Sequence, residues 1–299
     1  MNFQIWGLSG SLATEHEHQL NFAQERLWHW LNEFDEACNR FKEDSEISRV
    51  NAGAGATVAI SATLELALSA ALLAREATEG LCDPSVLPAL LALGYDVDYD
   101  ELTRRNDTSI AEPVKGAGAS AFDLDRGKHT VTLSPGCQLD LGASAKALAA
   151  DLIANDVAPT GGVVVEIGGD VAVRGRGPQG LWAIGLSDSL ELHGNEPRVA
   201  IHDGGIATSS TTTRTWRASG QLVNHIVDPR TGSFAVGPYA TATVSASSCV
   251  LANAFATASL LWGEDAAYHV AQAGWSGRFV RHDGSVEFVG GWPVDEVSA

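Results

Sequence analysis

The sequence predicts an α+β fold, largely antiparallel sheet with helices packed against it. Three observations carry the prediction. Short strand-like runs recur with turn residues between them, as hairpins require. A few segments switch to helical spacing. No Pro- or Ser-rich linker divides the 299 residues, so they are taken as one domain, 1–299, in which any lobes are interwoven.

From the N-terminus, Leu20, Leu27, Trp30, Leu31 and Phe34 recur at helical spacing and predict a helix over residues 17–39. In the polar stretch FKEDSEISRVN, Asp44, Ser45 and Ser48 are candidate caps. Ser61 suits the N-cap of a second helix, with Leu64, Leu68, Ala71 and Leu72 as its buried stripe and a C-cap near Gly80. Pro84 and Pro88 break LCDPSVLPALLALGY into short pieces. Residues 94–118 are acidic and irregular, and are expected to form a surface excursion. SAFDLDRGKHTVTLS reads as a hairpin around Asp125–Gly127. An alanine-rich helix is expected from about Ser144 to Ala154. GGVVVEIGGDVAVRGRG reads as a β-branched strand interrupted at Gly168-Gly169 and then continued. WAIGLSD, RVAIHDGGIATSS and SFAVGPYATATVSAS add strand, CVLANAFATASLLWG a helix, and WSGRFVRHDGSVEFVG a hairpin turning at Asp283-Gly284.

At 45% hydrophobic and 19% charged, the chain has ample material for a core. Its formal net charge of −18 disfavours nucleic acid or an anionic membrane as partner, since both need basic surface. An acidic chain that binds a phosphorylated ligand must offset its own field locally, with a metal ion, a lysine or a helix N-terminus. No signal peptide, lipid-attachment cysteine or transmembrane run is visible, and Cys38, Cys82, Cys137 and Cys249 lack metal-site spacing. A cytoplasmic protein with reduced thiols is expected.

Four segments could carry chemistry. In LDLGASAKALAAD, Gly142 allows close backbone approach, and Lys146 falls in the first helical turn, against the dipole. A phosphate would explain the lysine, although composition alone favours a plain helix-start turn with a solvated side chain. Asn253 and Thr257, four apart, share a helix face and offer two oxygens to a hard cation such as Mg²⁺. In isolation, bonding to backbone carbonyls is the stronger reading of such residues. Around Gly168-Gly169, with Glu166 and Asp170, a bulge and a seat for a flat ligand or pyrophosphate both remain open. GGIATSSTTTRTW supplies hydroxyls and Arg214, suited to phosphate or ribityl contacts or to an exposed strand edge. VNHIVDPRTG places His225 where a strand opens into a turn; read alone, it is a hydrogen-bonded structural histidine.

In order along the chain, CNRFKEDSEISRVN, EGLCDPSVLPAL, LDLGASAKALAADLI, VVEIGGDVAVRG, GIATSSTTTR, HIVDPRTG and ANAFATA resemble the signatures of the ApbE family, the FAD:protein FMN transferases. The resemblance implies that FAD binds with its pyrophosphate at a Mg²⁺ site. FMN then passes through a phosphoester to a Thr or Ser of a target flavoprotein, and AMP leaves. It assigns the metal to Asn253, Thr257 and the carbonyl of Ala143, and the flavin to Trp6, Phe41, Leu81, Cys82, Asp83, Asp140, Lys146 and Ile226. It makes His225 the residue that activates the acceptor hydroxyl, and on that footing catalysis is the favoured role. The family's usual metal-binding aspartate is Asn253 here, which removes a negative charge and predicts weaker Mg²⁺ binding unless phosphates or a nearby acid compensate. Lys-Gly is Lys146-Ala147, Thr-Ser-Gly is Thr208-Ser209-Ser210, and the early Met-Gly-Thr is Trp6-Gly7-Leu8; the export signal of the lipoprotein members is absent. Two other readings follow from the same residues: a non-catalytic FAD-binding protein, or an FAD pyrophosphatase giving FMN and AMP.

Overall fold

A computed structural model describes residues 1–187 and 196–293. Its centre is a sheet of eight strands: β1 (Asn2–Ile5), β2 (Leu8–Thr14), β3 (Val163–Ile167), β4 (Asp170–Arg174), β5 (Gly204–Ser210), β6 (Tyr239–Ala246), β7 (Ser276–Arg281) and β8 (Val286–Val289). They lie side by side in chain order, each antiparallel to the next. Long excursions leave after β2, β4, β5 and β6, and each returns to the neighbouring position. The excursions carry four principal helices: α1 (Leu20–Cys38), α2 (Ala62–Ala77), α3 (Ala145–Val157) and α4 (Cys249–Trp262).

Strand alternation decides which face each residue serves. On β4, Asp170, Ala172 and Arg174 share one face. Val171 and Val173 point the other way, into a core with Trp182, Val199, Ile206 and Trp292. The first face is covered by α3 on β3 and β4, and by α4 on β5 and β6. On β5 the face toward α4 carries Gly205, Ala207 and Ser209, all small. A Cβ at Gly205 would lie 2.3 Å from the Cys249 nitrogen, so only glycine lets the helix come this close. Ser248 caps α4 by accepting from Leu251 N–H at 3.2 Å.

Several expected elements form as read. Ser61 caps α2, accepting from Leu64 N–H at 3.1 Å. Ser45 caps a helix over Glu46–Ala52. The hairpin Phe122–Asp125 and Thr130–Leu133 is extended by Thr57–Ala59, and the closing hairpin is β7–β8. All four cysteines are unpaired thiols.

Other expectations are corrected. Gly168-Gly169 does not interrupt one strand; it is the turn that reverses β3 into β4. Both glycines have positive φ, 60° and 91°, as a tight two-residue hairpin turn requires. The bulge reading falls with it. RVAIHDGGIATSS splits between two sheets: Arg198–Ile201 pairs with Trp182–Gly185, and β5 joins the central sheet. Asp188, the last residue of WAIGLSD, lies outside the described residues. Residues 94–118 are not merely a surface excursion. Tyr95 and Leu102 are buried with Trp216, Val223 and Val227, so the segment forms part of a separate hydrophobic cluster. The C-cap of α2 is Thr78 rather than Gly80, with Glu79 and Gly80 following at positive φ. Among the described residues, no helix is long and apolar enough to cross a membrane.

Candidate active site

A cavity of about 530 Å³ opens between the start of α3, one face of α4, the β3–β4 turn and the link at Asn224–Val227. That volume falls within the range of cofactor pockets. The twelve residues that the family resemblance assigns all line it: Trp6, Phe41, Leu81, Cys82, Asp83, Asp140, Ala143, Lys146, His225, Ile226, Asn253 and Thr257.

Lys146 occupies the first turn of α3, as expected. Its ammonium bends back to the Gly142 carbonyl at 2.7 Å and lies 3.4 Å from Asp170 Oδ2. Ser144, at the N-cap, makes no side-chain capping bond; the Ser144 and Ala145 amides both turn back to the Leu141 carbonyl, at 3.1 and 2.8 Å, so the helix start offers a negatively charged ligand its dipole and the Lys146 side chain. Opposite, on α4, Asn253 is buried and donates from Nδ2 to Asp170 Oδ1 at 2.8 Å. One turn on, Thr257 Oγ1 shares a 2.9 Å hydrogen bond with Ser209 Oγ. Ala143 is exposed at the cavity wall.

His225 sits between two short strands, Gln221–Asn224 and Val227–Asp228. Asn224 fixes this link: its Oδ1 accepts from Ile226 N–H at 3.1 Å and its Nδ2 donates to the Ala235 carbonyl at 3.0 Å. Asp228 holds the following turn, accepting from Arg230 N–H and from its guanidinium, each at 2.9 Å. The imidazole bonds to the Arg214 backbone, while Nδ1 is buried without a partner. Burial, reinforced by the Arg214 and Lys146 charges, lowers its pKa to about 3. The ring is therefore neutral at physiological pH.

The remaining predicted residues serve differently. Trp6 takes a positive φ of 51° and donates from its indole to Asp35 Oδ1 at 2.9 Å. Asp83 is engaged on both oxygens, by Ser85 N–H at 2.8 Å and by Arg75 Nε at 3.2 Å, and shapes the turn below the cavity. Cys82 is buried, and its thiol is pushed up to about 12, first by burial and then by Asp83. Asp140 accepts from Gly142 N–H at 2.6 Å and from Arg40 Nε at 2.6 Å. Glu166 lies behind the site and holds the β3–β4 turn through Gly169 N–H at 2.9 Å.

Among the described residues, no cluster of three or more His, Cys, Asp or Glu forms a metal site. The oxygens present nonetheless suit a hard cation. Asn253 Oδ1 and Asp170 Oδ2 are both buried without a hydrogen-bond partner, and both residues line the cavity with Thr257. Burial raises the Asp170 pKa, against the opposing pull of Lys146. Neutral amide, hydroxyl and carbonyl oxygens with one carboxylate form an oxygen-only donor set of the kind Mg²⁺ takes.

The ApbE family model matches residues 6–277 of the chain. This protein belongs to the ApbE family. The FAD:protein FMN transferase of Haemophilus influenzae is 27% identical over 252 residues, covering 81% of this chain and 73% of that protein. The crystal structure of the ApbE protein from Thermotoga maritima superposes with a TM-score of 0.80 at 22% identity, covering 97% of this chain and 96% of that one. The apo flavinyl transferase ApbE of Pseudomonas stutzeri gives 0.77 at 20% identity, covering 97% and 92%.

Three further residues of this ApbE-family chain line the cavity; Arg214 and Asp170 stood in candidate segments of the sequence, and Arg40 in none. Arg40 lies under the Phe41 and Tyr95 rings, at 4.0 and 4.7 Å, with Nη2 buried and unpartnered. Its signal was its place beside Phe41 in the early segment. Asp170 was visible only as the acid after the glycine pair. Arg214 ends the Ser/Thr run and sets the positive field at His225.

Proposed function

We propose that this chain is an FAD:protein FMN transferase that attaches FMN, through a phosphoester, to a Thr or Ser of an acceptor flavoprotein and releases AMP. One observation carries the reading. A lysine-bearing helix start, a set of unpartnered oxygens and a neutral histidine with a free ring nitrogen all face one cavity.

FAD would lie with its diphosphate between the start of α3 and the Asn253–Thr257 face of α4. Lys146 and the dipole of α3 would hold phosphate oxygens. Asn253, Thr257, the Ala143 carbonyl and Asp170 would hold Mg²⁺, which when bound supplies charge neutralisation at the diphosphate. Phe41, Leu81 and Ile226 offer the apolar surface a flavin ring needs. His225 takes the proton of the acceptor hydroxyl. The freed oxygen bonds to the phosphorus of the FMN half, the bond from that phosphorus to the bridging oxygen breaks, and AMP departs with the electron pair. Four unpaired cysteines suit a reducing compartment, which supports a cytoplasmic reaction.

His225→Ala is expected to slow covalent labelling of the acceptor by at least about 100-fold, the usual contribution of a general base. FAD binding should persist. Mass spectrometry of the acceptor and flavin fluorescence read the two separately, and undiminished labelling removes His225 from the mechanism. If AMP never forms, the protein is a binding module. If AMP and FMN form without acceptor, it is a pyrophosphatase.

A further inference from the structure

Two buried oxygens in this site, Asp170 Oδ2 and Asn253 Oδ1, lack a hydrogen-bond partner. Asp170 is 2% exposed and Asn253 6%. A buried polar atom without a partner costs on the order of 1–3 kcal/mol, so such atoms mark places where an ion or ligand belongs. Their arrangement is not accidental. An ionised carboxylate only accepts hydrogen bonds, so the Asn253 amide must turn its NH₂ to Asp170. That bond, 2.8 Å long, pins the carboxylate and leaves Asn253 Oδ1 and Asp170 Oδ2 as the open positions. The nearest cation is Lys146, 3.4 Å from Oδ2. That is an ion pair, longer than a charge-assisted hydrogen bond, and the short bond of the ammonium goes to the Gly142 carbonyl at 2.7 Å.

Resting on the transferase reading, we propose that Asp170 is the anionic oxygen donor of the cation site. It supplies from β4 the charge that Asn253 cannot supply from α4, and Lys146 serves as its counter-ion until the cation binds. A neutral residue at 253 is then coherent. A carboxylate there would face Asp170 across the distance the amide now spans, and the two would repel without a cation between them. Cation binding releases the Lys146 ammonium toward the phosphates, so the site changes one counter-charge for another without leaving Asp170 unpaired.

Mn²⁺, which takes the same oxygen donors as Mg²⁺, is the probe. Its binding to the full chain saturated with FAD is followed by electron paramagnetic resonance, and FAD binding is followed independently by flavin fluorescence. Asp170→Asn keeps the shape and removes the charge. It is expected to weaken Mn²⁺ binding at least tenfold while far-UV circular dichroism and FAD binding are retained. Asp170→Asn combined with Asn253→Asp moves the charge across the pair, and is expected to recover most of the Mn²⁺ affinity that the single change loses. Unchanged Mn²⁺ affinity in Asp170→Asn overturns the proposal. A double variant as weak as the single one does so as well. Failure of the unaltered protein to bind FAD at all overturns the transferase reading instead, and is seen in the fluorescence channel alone.

Discussion

His225 is the residue whose chemistry is most altered by its surroundings. The imidazole lies deep in the protein but keeps an edge open to the cavity. Its pKa falls from 6.5 to about 3, first through burial, then through the charges of Arg214 and Lys146. The folded protein therefore keeps this ring neutral where the unfolded chain would protonate it. Between those two values the unfolded state binds more protons, so folding stability is full above pH 6.5 and is lost as the pH drops toward 3. At pH 5 this one group costs up to about 2 kcal/mol. His225→Asn removes the titration. Urea midpoints measured from pH 7 to pH 4.5 should fall less steeply for the variant than for the unaltered protein. Parallel curves would show that the ring is not held neutral. The same depression bears on catalysis. On the proposed role of His225, the negative diphosphate would offset the Arg214 and Lys146 charges and strengthen the base, so that proton uptake would be coupled to FAD binding.

At the level of elements, the site depends on how two helices meet. Asp151, on α3, accepts from Cys249 N–H and Val250 N–H, both at 3.0 Å, and so caps the start of α4 from outside. It also receives Arg174 Nη2 from β4 at 3.0 Å. One carboxylate thus ties together the helix carrying Lys146, the helix carrying Asn253 and Thr257, and the strand carrying Asp170. Asp151→Ala is expected to lower stability by about 2–4 kcal/mol, the sum of a lost cap and a weakened buried ion pair. Chemical denaturation measures the loss, and faster amide exchange at Cys249 and Val250 locates it; a change below 0.5 kcal/mol would dismiss the tie. Elements of this kind differ in how far the sequence reveals them. Ser45 and Ser61 were legible as caps because the capping bond is local, closing within three residues. The reversal at Gly168-Gly169 was not, because VVVEI and DVAVR alternate alike on both sides of the turn. The burial of Tyr95 was hidden because its partner Trp216 lies far along the chain. In the site, the family motifs brought Lys146, His225, Asn253 and Thr257 to one cavity, whereas Asp170 and Arg40 acquire meaning only from Asn253 and Asp140, which the chain delivers from distant segments.

At the scale of the whole molecule, the cavity is the seam between separately packed cores. Phe34, Ala71 and Ala145 reach it from the core under α1 and α3. Leu90, Tyr95 and Val227 reach it from the cluster around Trp216, and Ile226 from the core beneath α4. A ligand that fills the seam bridges all three and binds only the folded state. The net charge of −18 opposes a dianionic ligand at long range, and the cavity wall itself carries Asp83, Asp98, Asp100, Asp140 and Asp170, so binding relies on direct contact of the phosphates with Arg40, Lys146 and Arg214. With FAD at about 100 times its Kd, linkage adds about 2.7 kcal/mol, which for a chain of this length raises the thermal midpoint by about 4 °C. His225→Ala should show the same rise, because it removes a proton acceptor and not a phosphate contact. Arg40→Ala should show a smaller one, because its unpartnered Nη2 is buried in the cavity wall. Differential scanning fluorimetry with FAD and with AMP alone separates filling of the seam from binding of the adenylate half. A rise with AMP equal to that with FAD would mean that the flavin does not bridge the cores, and the placement of its ring against Phe41, Leu81 and Ile226 would be wrong.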